Sequence, residues 1–316
     1  MQRWSRRSSL RGHGLFSSAG AAVTSPTTWT TLAVLDWTTK RFVEAKIEGA
    51  RLEAQVIVAH ALQCTRIALY THFDKPLSDE ELAACRGLIK RRLAGEPLAY
   101  VVGNQEFWGL TLTVSPAVLV PRNDTETVIE RVLKIVARDR PVRIVELCTG
   151  SGAIAVALAK ELPLATITAT EISLEARDVA VVNIAALGFA DRVQVLLTDL
   201  WPVPPDEVTA PYDLLVSNPP YIRTAEIAGL SAEVQREPTL ALDGGVDGLV
   251  FYRRIATQAA QFLSVGAAIV VEHGFDQAAD VAAIFTAAGL HDVTLHYDLA
   301  KQPRVTSAVV AAREKS

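Results

Sequence analysis

After Pro141 the chain alternates short apolar runs with amphipathic segments, seven of the first and four of the second. The runs at 142–147, 166–171, 193–198, 212–217, 267–272, 293–297 and 307–312 are too short for helices and read as strands. Segments near 153–161, 174–187, 250–264 and 276–288 carry helical periodicity. Strands joined through helices of this length pair in parallel, which predicts a doubly wound, Rossmann-like, seven-stranded sheet with helices on both faces.

Upstream the pattern differs. Leu52, Val56, Ala59 and Leu62 recur at helical spacing and predict one apolar stripe. Ser78 and Glu81 fit a capping box ahead of Leu82, Cys85, Ile89 and Leu93. A small helical domain is therefore expected over 27–95, ended by Gly95 and Pro97. The runs 98–102 and 110–114, with Gly103, Asn104 and Gly109 between them, read as a hairpin linker within 96–122. Pro116 and Pro121 precede a helix near 124–137, opening a catalytic domain over 123–316. Residues 1–26 hold Arg3, Arg6, Arg7 and Arg11 with no acid, the composition of a mitochondrial transit peptide or of a disordered tail.

Charge narrows the partners. The whole chain has 31 basic and 35 acidic residues; without the four leader arginines, 27 bases face the same 35 acids. Such a body is poorly suited to gripping phosphate backbones, so no direct nucleic-acid binding is expected. No apolar run reaches the roughly 18 residues of a membrane span. Cys64, Cys85 and Cys148 are far apart and odd in number, which argues against a disulfide framework or a zinc site and for reduced thiols in a cytoplasmic setting.

Three successive strand ends carry candidate ligand groups. Glu146-Leu147-Cys148-Thr149-Gly150-Ser151-Gly152 closes one strand and opens a helix, with glycines permitting a tight turn. Glu171 ends the next strand, about 20 residues on, where a carboxylate can take ribose hydroxyls. Asp199-Leu200 follows the third and offers an acceptor and an apolar face to an adenine. Ala155 replaces the third glycine of a dinucleotide fingerprint, so the set fits an adenosyl ligand better than a nicotinamide cofactor.

The fourth strand runs into Asn218-Pro219-Pro220-Tyr221. Consecutive prolines fix φ and hold Asn218 and Pro219 extended. The Asn218 side-chain oxygen and the Pro219 carbonyl then become two fixed acceptors for one planar NH2 group, with Tyr221 packing on its plane. An amide nitrogen is a poor nucleophile because its lone pair is delocalised. Two preorganised acceptors enrich it and absorb the charge that develops as it attacks a methyl group.

With these motifs the chain resembles the HemK/PrmC family of protein-(glutamine-N5) methyltransferases from about Trp29 to Val310. Further markers are Gly95-Glu96-Pro97-Leu98-Ala99-Tyr100, Glu106-Phe107-Trp108-Gly109, Val120-Pro121-Arg122 before Asp124-Thr125-Glu126, Glu237-Pro238, Ala241-Leu242-Asp243-Gly244-Gly245 and Asp247-Gly248-Leu249. The resemblance implies a class I S-adenosyl-L-methionine methyltransferase fold with an N-terminal helical domain that engages peptide chain release factors. It implies methylation of the glutamine in their Gly-Gly-Gln loop. Cys148, Thr149, Gly150, Ser151, Gly152, Glu171, Leu200 and Asn218 match its cofactor positions, with Asp199 alongside. Asn218, Pro219, Pro220 and Tyr221 match its substrate positions. Three residues depart from the pattern: Asn123 for a proline, His273 for an isoleucine, and Lys301-Gln302-Pro303 for a glycine-containing turn. The alternatives are a ribosomal-protein glutamine or an adenine or cytosine amine as acceptor, a silent adaptor, and a dehydrogenase.

Overall fold

The computed structural model describes residues 28–202 and 211–311. The expected leader, the end of the last expected strand at Ala312 and residues 203–210 lie outside them. Two compact units divide between Val102 and Gly103.

The first unit holds α1 (Thr31–Glu44), α2 (Ala50–Ala61), α3 (Ala68–Thr71), α4 (Asp79–Leu93) and α5 (Leu98–Val102). The capping box forms at α4: Ser78 accepts from the Glu81 N–H, and Glu81 accepts from the Ser78 N–H. In α2 the buried residues are Ala50, Ala54, Ile57, Val58 and Ala59. Of the expected stripe, Ala59 is buried and Val56 and Leu62 pack against the same core, while Leu52 stays 49% exposed.

The reading of 98–102 as a strand is also corrected: it is α5, whose Tyr100 and Val101 N–H groups donate to the Pro97 carbonyl. Ala99, Tyr100, Val101 and Val102 are all buried. A short run buried on every side carries no period to separate helix from strand. The hairpin lies just beyond, pairing β1 (Asn104–Phe107) with β2 (Leu110–Thr113). Phe107 is buried in the core of the second unit, as expected of a packing residue.

The second unit is the doubly wound sheet. Its strands are β3 (Val142–Leu147), β4 (Ala165–Glu171), β5 (Val193–Leu197), β6 (Tyr212–Ser217), β7 (Leu263–Glu272), β8 (Leu290–Tyr297) and β9 (Pro303–Val310). They stand in the order β5-β4-β3-β6-β7-β9-β8. The first five are parallel and β9 runs antiparallel to both neighbours. The helices are α6 (Glu126–Ile135), α7 (Ala153–Glu161), α8 (Leu174–Ala186), α9 (Val250–Phe262) and α10 (Ala278–Ala287). Two apolar clusters flank the sheet, one through α6, α7 and α8, the other through α9 and α10. The strand order reverses between β3 and β6, and a crevice opens at the carboxyl ends of strands at such a switch point. Among the described residues, no helix is long and apolar enough to cross a membrane.

Candidate active site

Two adjoining cavities occupy that crevice. The larger, about 240 Å3, is lined by Cys148, Thr149, Gly150, Ser151, Glu171, Asp199, Leu200, Asn218 and Pro220 among others. The second, about 220 Å3, is lined by Asn218, Pro219, Tyr221 and Glu272. Asn218 and Arg122 border both. Eleven of the twelve site residues expected from sequence therefore converge on one crevice.

Gly152 is the exception. It lines neither cavity and caps α7 instead, with φ +81°. A Cβ there would lie in ordinary contact with the Ala180 Cβ at 3.4 Å, so it is the left-handed φ of this turn that calls for glycine.

The turn after β3 is tied to the end of β4 by Glu171. Its carboxylate accepts from the N–H groups of Gly150 and Ile172 at 2.9 Å and of Ser173 at 3.0 Å. A carboxylate has about four acceptor sites, so one stays open toward a ligand hydroxyl. The third loop is anchored by the Thr170 hydroxyl, which donates to the Leu200 carbonyl at 2.6 Å. Leu200 is held at φ +72° and buried, presenting a fixed apolar wall. Asp199 sits at the rim in an ion pair with Arg254 at 2.9 Å, and Arg254 lies over the Phe251 ring. Glu146 is buried and lines the larger cavity, and burial raises its pKa to about 8. Burial also pushes the Cys148 thiol up, so no thiolate forms there.

An extended adenosyl group fits this lining. It meets a backbone turn, an acceptor at the second strand end, an apolar wall at the third, and an acid at the rim.

On the other side of the crevice, the Asn218 Nδ2 donates to the Thr125 hydroxyl oxygen at 3.2 Å. That bond leaves Oδ1 as the end of the amide available to a ligand. Tyr221 is set by Gln277, whose Nε2 donates to the Tyr221 carbonyl at 2.9 Å and to the Gly248 carbonyl at 3.3 Å. Gly248 has φ +74°, and a Cβ there would collide with the Tyr221 carbonyl. Burial pushes the Tyr221 phenol well above its ordinary range, so the hydroxyl stays neutral. Arg122 pairs with Glu237, whose other oxygen accepts from the Val120 N–H at 3.3 Å. This joins the Pro121-Arg122 loop to the Glu237-Pro238 loop. Burial raises the Glu237 pKa and Arg122 counters it.

Among the departures, Asn123 opens a 3-10 turn over Asn123–Thr125 that runs directly into α6. His273 does more than fill space: Nδ1 contacts the Gly274 carbonyl and Nε2 the Thr306 hydroxyl, both at 2.9 Å. Lys301 adopts φ +60°, the conformation glycine would take without strain.

Sequence reading did not single out Thr125, Phe251, Arg254, Glu272 or Gln277 as site residues. The available signal was positional for two of them. Thr125 sits in the motif after Pro121, and Glu272 is an acid closing the strand next to the Asn218 strand.

A seven-stranded sheet of this order, with a cavity at its switch point beside an Asn-Pro-Pro-Tyr turn, defines the S-adenosylmethionine-dependent methyltransferases as the class. Two family descriptions match the chain: the PrmC N-terminal domain over residues 33–103 and the methyltransferase small domain over 125–237. The release factor glutamine methyltransferase of Geobacter sulfurreducens is 44% identical over 84% of this chain and 92% of its own. The protein of the same name from Bradyrhizobium diazoefficiens is 41% identical over 85% and 91%. Among solved structures, the hMettl16 catalytic domain in complex with MAT2A 3'UTR hairpin 1 aligns with a TM-score of 0.54 at 15% identity, covering 76% of this chain and 84% of that one. At that identity the likeness shows the fold alone. The chain belongs to the release factor glutamine methyltransferase family. Its methyl donor is S-adenosylmethionine.

Proposed function

We propose that the protein transfers a methyl group from S-adenosylmethionine to the side-chain amide nitrogen of the glutamine in the Gly-Gly-Gln loop of peptide chain release factors. The observation that carries this reading is the Asn218 amide. Its nitrogen donates to the Thr125 hydroxyl, and the residue borders both cavities next to Pro219. A glutamine NH2 entering the smaller cavity would donate one hydrogen to Asn218 Oδ1 and the other to the Pro219 carbonyl.

Bound cofactor supplies an electrophilic methyl from the larger cavity. The two acceptors hold the nitrogen in line with it, localise the lone pair and take up developing positive charge. Tyr221 covers the amide plane as a neutral ring. No side-chain base is required before transfer, because the alkylated amide is strongly acidic and loses its proton readily. The helical unit, which matches the PrmC N-terminal domain, is the part we assign to grasping the release factor. The acceptor is a protein in the cytoplasm, in keeping with the acidic balance of the chain.

Labelled methyl donor offered with a release factor, a ribosomal protein mixture, and naked DNA or RNA tests the assignment. Label is expected on the release factor. Label on nucleic acid or ribosomal protein with none on the release factor would overturn it.

A further inference from the structure

The proposed chemistry works only if the Asn218 amide presents oxygen, not nitrogen, to the substrate. An amide is nearly symmetrical in shape, so something must choose between its two orientations. Thr125 alone does not choose, because a hydroxyl both donates and accepts. The register supplies the deciding group. Ser217 pairs with Val271, which sets Asn218 beside Glu272 at the ends of β6 and β7. Glu272 pairs in turn with Val305 on β9, next to Arg304.

Glu272 is 1% exposed and borders the smaller cavity with Asn218, Pro219 and Tyr221. Its Oε2 is buried without a hydrogen-bond partner among the described residues. Thr125 and Asn218 flank the carboxylate and favour its charged form. An ionised carboxylate only accepts. A flipped Asn218 would turn Oδ1 toward the carboxylate that its NH2 now hydrogen-bonds, in a desolvated site where the repulsion is strongest.

Resting on the proposed glutamine reaction, we infer that Glu272 is the positioning residue that fixes the Asn218 amide with nitrogen inward and oxygen toward the substrate. It acts through Asn218 and Thr125 and does not itself take part in methyl transfer. Protonation cancels the device, since a neutral carboxyl has an O–H to donate and tolerates either orientation.

Burial raises the Glu272 pKa to about 7, with hydrogen bonding from Thr125 and the charge of Arg304 opposing the shift. The ionised form is the active one, so activity falls as pH drops through about 7. The other charged or titratable groups that act on it or line its cavity are Arg122, Asp124, Tyr221, Tyr252 and Arg304, with His273 next along the chain. Asp124 and Asp298 both pair with Arg304. Burial pushes both phenols upward and lowers the His273 pKa, so those three stay neutral through this range.

The test has two readouts. In the first, Glu272→Gln is compared with wild type on a release factor. Its kcat should fall about 100-fold at neutral pH through misplacement of one acceptor. KM for the release factor and affinity for S-adenosylhomocysteine should change little, and the acid limb of the rate profile should vanish. An unchanged kcat with the acid limb intact overturns the inference. The second readout needs no turnover and no variant at Glu272. With S-adenosylhomocysteine bound, the Asn218 side-chain NH2 resonances of the 15N-labelled wild-type protein should titrate between about pH 6 and 8, around the Glu272 ionisation. They are assigned by their loss in Asn218→Ala. Resonances that do not move overturn the inference whatever the activity. A wild-type protein whose resonances titrate, yet which methylates no release factor, would keep the role of Glu272 and overturn the substrate assignment.

Discussion

Replacing Asn218 with alanine removes the side-chain acceptor and leaves its partner, the Pro219 backbone carbonyl, in place. The structure separates what is lost from what remains. The cofactor cavity is walled by the turn after β3, by Glu171, and by the loop carrying Asp199 and Leu200, none of which is held by Asn218. Within the protein the variant loses the bond from Asn218 Nδ2 to the Thr125 hydroxyl and the amide's hydrogen bonding to the Glu272 carboxylate. Bonds of these two kinds contribute about 1 and about 2 kcal/mol, so the variant should melt several degrees lower while still folding. At the transition state one of two preorganised acceptors for developing charge is missing, which costs about 3–4 kcal/mol, or roughly 100- to 1,000-fold in rate. Kinetics with labelled methyl donor and a release factor give kcat and KM, and calorimetry with S-adenosylhomocysteine gives cofactor affinity. The expected result is a kcat lowered by that factor with cofactor affinity nearly intact. A folded Asn218→Ala protein that methylates glutamine at close to the wild-type rate would refute the two-acceptor argument.

Other perturbations separate the parts of the site. Glu171→Gln turns an NH2 group toward the backbone donors of Gly150, Ile172 and Ser173, so S-adenosylhomocysteine affinity measured by calorimetry should drop at least about tenfold, roughly 1.4 kcal/mol. Gly248→Ala would force the Tyr221 carbonyl aside, and steady-state kinetics should show kcat falling while cofactor affinity holds. Glu146 has a folded-state pKa near 8 against an ordinary value of 4.5, so it binds its proton more tightly in the folded chain. Its contribution to stability is full below the ordinary value and fades as pH rises through about 8. Melting temperature should therefore decline across that window, and Glu146→Gln should flatten part of the decline; an identical slope in the variant would contradict the assignment.

The parallel sheet was legible because its central strands β3, β4 and β6 are largely buried and are separated by well-marked helices. The expected bounds 142–147 and 212–217 coincide with β3 and β6. The Asn218 turn was legible because two prolines fix its backbone locally, with no help from distant residues. Leu98–Val102 was not, since burial on all sides removes the periodic contrast that separates helix from strand. The glycine turn was legible for a local reason too, Gly150 and Gly152 both adopting positive φ, whereas which of them lines the crevice was not. Thr125, Asn218 and Glu272 illustrate the remaining limit. They meet because α6 begins, β6 ends and β7 ends at one place, a coincidence set by strand order and register.

The central claim is the identity of the methylated atom, and peptide mass spectrometry of a treated release factor tests it most directly. The protein is incubated with a bacterial release factor and S-adenosylmethionine, and fragment spectra are read across the Gly-Gly-Gln peptide. A single methyl group on the glutamine side chain of that peptide, formed far more slowly when Asn218→Ala replaces the wild type, is the predicted result. An unmodified Gly-Gly-Gln peptide, with methyl groups on lysine, arginine or a different protein instead, would contradict the account.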